Sequence, residues 1–107
     1  MRKHNPKHVQ PRSASEIRRI LRRRLPELAA RHRVKSLALF GSYVRGEQSA
    51  RSDLDVLVEF SEPPNLFEFM DLEEHLAALV GVKVDLVTKG ALKGNIGKRI
   101  LDEVVAV

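Results

Sequence analysis

The first third of the chain carries apolar residues at intervals of three and four, the spacing of a helix with one buried face. These residues are Ile17, Ile20, Leu21, Leu25 and Leu28. Ser13, with Glu16 three positions later, has the form of a capping box, so we expect the helix to begin there. It is predicted to continue to about Ala30. A kink or a restart is expected at Pro26, because proline has no backbone N–H to donate to the preceding turn.

Three short apolar runs further along the chain predict β-strands. The first spans residues 36–40 and is stopped by Gly41. The second spans residues 54–60 and is soon followed by two prolines, and the third spans residues 83–87. Their lengths suit the buried strands of a small sheet.

A second amphipathic helix is predicted between the second and third strands. Asn65 can cap its first turn, and Gly81 ends it. Its apolar face would consist of Leu66, Phe69, Met70, Leu76, Leu79 and Val80. A weaker helical pattern covers residues 92–104, with Thr88 as its candidate cap. The order helix, strand, strand, helix, strand, helix predicts an α/β or α+β fold in which helices flank a small sheet.

Length and composition allow one domain with its own core, because the chain has 107 residues of which 43% are hydrophobic. Residues 1–12 are predicted to form a disordered basic arm, which leaves residues 13–107 as the domain. The absence of cysteine excludes disulfides and thiolate metal sites. No apolar run approaches the roughly 20 residues that span a bilayer, and the start does not resemble a secretory signal. We therefore expect a cytoplasmic protein with no membrane partner.

Positive charge is concentrated at one end of the chain. Residues 1–35 contain twelve Lys or Arg and two acidic residues, whereas residues 36–107 contain seven basic and twelve acidic residues. Nucleic acid, an acidic partner or a triphosphate could use the basic segment. A solvated helix face next to a flexible tail explains it equally well.

A Gly-Ser pair follows the first predicted strand directly. Gly41 lets the backbone approach a ligand closely, and the Ser42 hydroxyl adds a donor, so this turn could bind phosphate oxygens. Gly-Ser is also ordinary turn chemistry, and by itself this signal favours a simple turn.

Two aspartates separated by one residue begin the second strand. Asp53 and Asp55 would point to the same face while Leu54 points to the core, because side chains alternate along a strand. Held about 5 Å apart at an effective dielectric near 20, the two charges repel by roughly 3 kcal/mol. A divalent cation is the simplest compensation, and oxygen ligands suit Mg²⁺. The alternative is that Asp53 caps the strand and Asp55 lies in solvent.

Asp85 lies in the middle of the third apolar strand. If it joined Asp53 and Asp55, three carboxylates on neighbouring strands could hold two metal ions. At a solvent-facing edge of the sheet it would be inert.

These residues resemble the signature of the DNA polymerase β-like nucleotidyltransferases. The signature is a Gly-Ser pair, ten residues and an Asp-X-Asp run, met here by Gly41, Ser42, Asp53 and Asp55. The surrounding run GSYVRGEQSARSDLDVLVEF resembles the minimal nucleotidyltransferase (MNT) branch, which is paired in prokaryotes with HEPN-domain toxins. The resemblance covers roughly residues 15–105. It implies a mixed sheet flanked by helices, similar to the polymerase β palm, with the active site at an open edge of the sheet.

The resemblance also implies roles for particular residues. The metal ligands would be Asp53, Asp55 and Asp85, holding two Mg²⁺ ions. Gly41 and Ser42 would bind the triphosphate of ATP. Asp85 would complete the site at which the acceptor hydroxyl loses its proton. Arg45 matches a family position and would either contact the nucleotide or stabilise the loop.

The implied acceptor is a tyrosine hydroxyl of a HEPN ribonuclease toxin, inactivated by adenylylation, and the two proteins would form a hetero-oligomer. The core fold is expected to use all the residues, so the acceptor would arrive on a partner protein. The basic arm could help to dock the toxin or RNA bound to it, so that nucleic acid takes part only indirectly. Three alternatives stay open: an antitoxin that acts by binding alone, a nucleotidyltransferase for a small-molecule hydroxyl, and a nucleic-acid-binding protein.

Overall fold

The computed structural model describes residues 12–92 and 94–107. The predicted basic arm, apart from Arg12, lies outside the described residues. The helices are α1 (Ala14–His32), α2 (Ser42–Arg45), α3 (Leu66–Val80) and α4 (Gly94–Glu103). The strands are β1 (Val34–Phe40), β2 (Leu54–Phe60), β3 (Val84–Thr88) and β4 (Val105–Ala106), and a short 3₁₀ helix covers Lys89–Ala91.

The four strands form one mixed sheet in the order β3-β2-β1-β4. β1 pairs antiparallel with both β2 and β4, whereas β2 and β3 run parallel. The parallel pair is possible because α3 connects β2 to β3. This arrangement confirms the predicted class, a small mixed sheet flanked by helices.

The two faces of the sheet differ in what they contact. The hydrophobic core contains alternate residues of the strands, which pack against the buried side chains of α1 and α3. Its members from the sheet are Val34, Leu37, Leu39, Leu54, Val56, Val58, Val84 and Leu86. Asp55 and Asp85 occupy the intervening positions, so they lie on the face turned away from α1 and α3. The packing of two helices on one face thus leaves the other face for polar chemistry.

The caps predicted for α1 and α3 are confirmed. Ser13 accepts from the Glu16 N–H at 3.1 Å, and Glu16 returns the bond to the Ser13 N–H at 3.0 Å. Asn65 makes the equivalent capping box at the start of α3, and Gly81 caps its end with φ 75°. The prediction that the helix restarts at Pro26 is wrong, because α1 continues through this residue to His32. Buried leucines on both sides of the proline keep that helix against the sheet.

The apolar face predicted for α3 is only partly correct. Leu76 and Val80 are buried, but Leu66 and Met70 are 69% and 48% exposed. Leu72, which was not assigned to the face, is fully buried. The helix therefore contacts the sheet along its C-terminal two thirds. In the part of the chain that the structure describes, no helix is both long enough and apolar enough to cross a bilayer.

The last segment differs most from expectation. Thr88 precedes the 3₁₀ helix and makes no side-chain cap hydrogen bond, so it does not cap α4, which begins at Gly94. The chain then enters β4, which was not predicted. β4 pairs Val105 with Leu39 and Ala106 with Ala38 at the outer side of β1. Two residues are too few for a strand pattern to be recognised in a sequence.

Candidate active site

The Gly-Ser turn lies at the end of β1, where Gly41 leaves the strand and Ser42 begins α2. Gly41 has φ 81° and ψ −154°, a conformation that is strained for any other residue. A Cβ atom at this position would overlap the Oδ2 atom of Asp55 and would lie 3.0 Å from its Cγ atom. Glycine is therefore required for two reasons, and the two halves of the sequence motif are in direct contact.

The register of the sheet brings the three aspartates to neighbouring positions. Asp55 lies opposite Phe40 of β1 on one side and opposite Asp85 of β3 on the other. Asp53 precedes β2 by one residue, so the alternation of the strand directs it towards the face of Asp55. Asp85 is exposed on an edge strand, but it is adjacent to Asp55 rather than isolated.

The charges of these three residues affect one another. Burial, followed by the charges of Asp85 and Asp53, raises the pKa of Asp55 to about 6. This pKa includes two smaller effects: the charge of Arg45, which lowers it, and a hydrogen bond to the side chain of Asp85, which raises it. Two carboxyl groups can share a hydrogen bond only when one of them is protonated. Negative charge at Asp55 is thus incompletely compensated by the protein itself.

The carboxylates fit a magnesium site by their chemistry. All three offer oxygen ligands, and their mutual repulsion is what a divalent cation relieves. Among the side chains of residues 12–92 and 94–107, however, no three His, Asp or Glu groups are already gathered around one point that could hold an ion. Asp55 and Asp85 are nevertheless direct neighbours in the sheet. The metal-ligand role of Asp53, Asp55 and Asp85 stays a prediction.

Two further residues at this site were missed in the sequence. Tyr43 of α2 is only 2% exposed, and burial together with the charge of Asp53 raises its pKa. Glu103, at the end of α4, accepts from the Gly41 N–H at 3.0 Å and from Nη1 of Arg45 at 3.2 Å. Tyr43 could be suspected from the sequence because it directly follows the Gly-Ser pair. No local pattern in the sequence marks Glu103.

Arg45 forms ion pairs on both sides of its guanidinium group. Nε donates to Glu47 at 2.9 Å, and Nη1 donates to Glu103. These contacts give it a part in holding the loop between α2 and β2. Its predicted contact with the nucleotide stays a prediction.

A cleft of about 530 Å³ lies away from this site, at the C-terminal end of α1 beside α3. None of the residues that line it belongs to the Gly-Ser turn or to the aspartates. His32 and His75 meet there, with Nε2 of the first 2.9 Å from Nδ1 of the second. His75 also lies 3.3 Å from Glu27 of α1, so these side chains join the two helices.

The comparisons with known proteins agree with the geometry. Residues 14–107 match the model of the nucleotidyltransferase domain. The chain belongs to this nucleotidyltransferase family. A protein adenylyltransferase, MntA, of Thermococcus cleftensis is 51% identical over 92 residues, which cover 86% of this chain and 93% of the relative. The resemblance to the MNT branch that the sequence indicates is thus confirmed.

Solved structures with the same fold include other nucleotidyltransferases. One, described provisionally as a minimal nucleotidyltransferase, has a TM-score of 0.73 and 34% identity and covers 94% of this chain and 98% of that one. A toxin–antitoxin complex with AMP-PNP has a TM-score of 0.62 and 24% identity over 86% of this chain and 69% of that one. A third contains a tri-AMPylated HEPN toxin of Shewanella oneidensis with its MNT antitoxin, at a TM-score of 0.54 and 21% identity over 86% and 66% of the two chains.

Replacing Asp55 by asparagine is expected to stabilise the metal-free nucleotidyltransferase at neutral pH. The pKa of Asp55 is higher in the folded protein than the usual value of 3.8, so folding takes up a proton between these values. The contribution of Asp55 to stability is therefore present below pH 4 and is lost as the pH rises through about 6.

The melting temperature, measured in EDTA across this pH range, checks the effect. Asp55→Asn should melt close to the wild type at pH 4 and above it at pH 7. Asp102→Asn, at an exposed position of α4, controls for the loss of one negative charge. If the melting temperature of Asp55→Asn differed from that of the wild type by the same amount at both pH values, the raised pKa of Asp55 would not be the cause.

Proposed function

We propose that this protein transfers AMP from ATP to a hydroxyl group of a partner protein. The observation that carries the proposal is the contact between Gly41 and Asp55, which joins a phosphate-binding turn and a carboxylate group into one site. A relative that is 51% identical bears the name protein adenylyltransferase, which supports AMP as the transferred group.

The residues of the site divide into two groups by their chemistry. The Ser42 hydroxyl and the backbone beside it bind phosphate oxygens of ATP. Asp53, Asp55 and Asp85 would hold two Mg²⁺ ions. When bound, these ions neutralise charge on the triphosphate and stabilise the charge that develops during transfer. Tyr43 is buried near enough to Asp53 for the charge of that carboxylate to raise the pKa of Tyr43.

In the proposed reaction, the acceptor oxygen attacks the α-phosphorus of ATP. A new oxygen–phosphorus bond forms, the bond between the α-phosphorus and the bridging oxygen breaks, and pyrophosphate leaves. The acceptor proton passes to a carboxylate, a role that we assign to Asp85 because it is the most exposed of the three aspartates. The site contributes alignment and charge neutralisation rather than a covalent intermediate.

The proposed acceptor is a tyrosine of a HEPN ribonuclease toxin, which makes this protein an antitoxin that forms a hetero-oligomer with its target. Solved proteins of the same fold support this, since one complex contains AMP-PNP and another contains an AMPylated HEPN toxin. An enzyme that uses ATP and acts on an RNA-cleaving target would work in the cytoplasm, which is the location we propose. RNA bound to the toxin is the only nucleic acid involved.

Label transfer tests the function. The protein is incubated with Mg²⁺ and with ATP labelled at either the α- or the γ-phosphate, together with the product of the neighbouring gene, which we expect to be the HEPN protein. We expect the HEPN protein to acquire label from the α position only. Label from the γ position would identify a kinase and contradict the proposal.

A toxin that is silenced without any label would indicate an antitoxin that acts by binding alone. The same assay identifies the acceptor residue. Replacing the labelled tyrosine of the HEPN protein by phenylalanine should abolish labelling. Adding EDTA should also abolish it, since the proposed transfer needs the cations.

A further inference from the structure

Glu103 connects the C-terminal segment to the phosphate-binding turn. Its Oε1 atom accepts from the backbone N–H of Gly41 at 3.0 Å and from Nη1 of Arg45 at 3.2 Å. The side chain is partly buried, with 34% of its surface exposed. One carboxylate oxygen thus holds both the first residue of the turn and the last residue of α2.

The pairing of β4 with β1 explains why Glu103 reaches this position. Val105 lies opposite Leu39, and a hydrogen bond from the Val107 N–H to the Leu37 carbonyl continues the pairing outward. In an antiparallel pair, each step back along one strand is a step forward along the other. Extending the register beyond Val105 therefore brings Glu103 level with Gly41, where β1 ends and the turn begins.

The contact also limits how the turn can bind phosphate. The Gly41 N–H already has a carboxylate partner, and Arg45 has two, Glu103 and Glu47. The Ser42 hydroxyl has no hydrogen-bond partner among the described residues. Within the turn, phosphate recognition therefore falls to the Ser42 hydroxyl and the backbone beside it rather than to the Gly41 N–H, in an orientation that Glu103 sets.

We propose that Glu103 is a positioning residue for AMP transfer, holding Gly41 and Arg45 so that Ser42 faces the triphosphate of ATP. It does not touch the substrate and acts through the two groups that it holds. This inference rests on the proposed function. It extends that function to the C-terminal segment, whose helix and strand were otherwise only part of the scaffold.

Two substitutions at Glu103 separate hydrogen bonding from charge. Glu103→Ala removes the acceptor for both donors, and Glu103→Gln keeps an acceptor oxygen of the same reach. We expect Glu103→Ala to raise KM for ATP on the order of tenfold, as loss of a charge-assisted hydrogen bond would predict. Glu103→Gln should restore KM to within about threefold of the wild type. Asp102→Asn, one residue earlier and exposed, should have no effect.

The dissociation constant for Mg²⁺ and AMP-PNP, measured by calorimetry, should follow the same order as KM. Tighter binding by both Glu103 variants would overturn the proposal, because the carboxylate would then be a competitor of the phosphate. A lower melting temperature of Glu103→Ala with unchanged KM and binding would show a merely structural role and would also overturn it. If the wild type transfers no AMP, the proposed function fails, and the binding data still decide the role of Glu103.

Discussion

Replacing Asp53 or Asp55 by asparagine is expected to lower the rate of AMP transfer by about a thousandfold, which corresponds to about 4 kcal/mol of transition-state stabilisation. Asparagine keeps the size and shape of aspartate but removes the charge with which the carboxylate holds a cation. The loss should appear in kcat, measured as label transferred from α-labelled ATP at saturating nucleotide. In EDTA, neither variant should melt below the wild type, and Asp55→Asn should melt above it at neutral pH.

A matched control separates loss of the site from loss of any surface aspartate. Asp71 is exposed on α3, on the side of the sheet away from Asp55. Asp71→Asn should retain the full rate. Retention of more than a tenth of the wild-type rate by Asp53→Asn and Asp55→Asn would mean that the chemistry lies elsewhere.

Replacing Gly41 by alanine is expected to damage activity and stability together. The conformation of Gly41 costs a non-glycine residue about 1–3 kcal/mol, and the added methyl group also collides with the Asp55 carboxylate. Displacing that carboxylate by about an ångström should reduce kcat/KM by roughly a hundredfold. Thermal unfolding and the label-transfer rate, measured on the same preparation, check both effects.

Gly46 provides the control for this substitution. It also has a positive φ, 72°, but a Cβ atom there would meet nothing within 4 Å. Gly46→Ala should therefore lose about 1 kcal/mol of stability from the backbone strain alone and keep its activity. If Gly41→Ala and Gly46→Ala behave alike, the contact between the turn and Asp55 has no functional importance.

Much of this site could be predicted from the sequence because its signals are local. The ten-residue gap between the Gly-Ser pair and the Asp-X-Asp run is visible in the chain, and alternation along a strand directs two aspartates to one face. The capping boxes at Ser13 and Asn65 are equally local, and both are present. The prediction of Asp85 needed only the third apolar strand, and the parallel register then placed it beside Asp55.

The features that were missed depend on tertiary pairing. β4 has two residues, and its position at the outer side of β1 follows from the path of the chain after α4 rather than from a pattern. Glu103 is placed by that pairing, so its contact with Gly41 could not be predicted from neighbouring residues. Likewise, α1 continues through Pro26 because burial on either side outweighs the local preference for a break.

We propose that Asp53, Asp55 and Asp85 share divalent cations beside the Gly-Ser turn. A crystal structure with Mn²⁺ in place of Mg²⁺ and with AMP-PNP tests this, because anomalous scattering locates the metal. We expect Mn²⁺ within about 2.3 Å of carboxylate oxygens of Asp53, Asp55 and Asp85. Mn²⁺ bound to the triphosphate alone, with the aspartate oxygens outside its coordination shell, would show that the aspartates do not hold the cations.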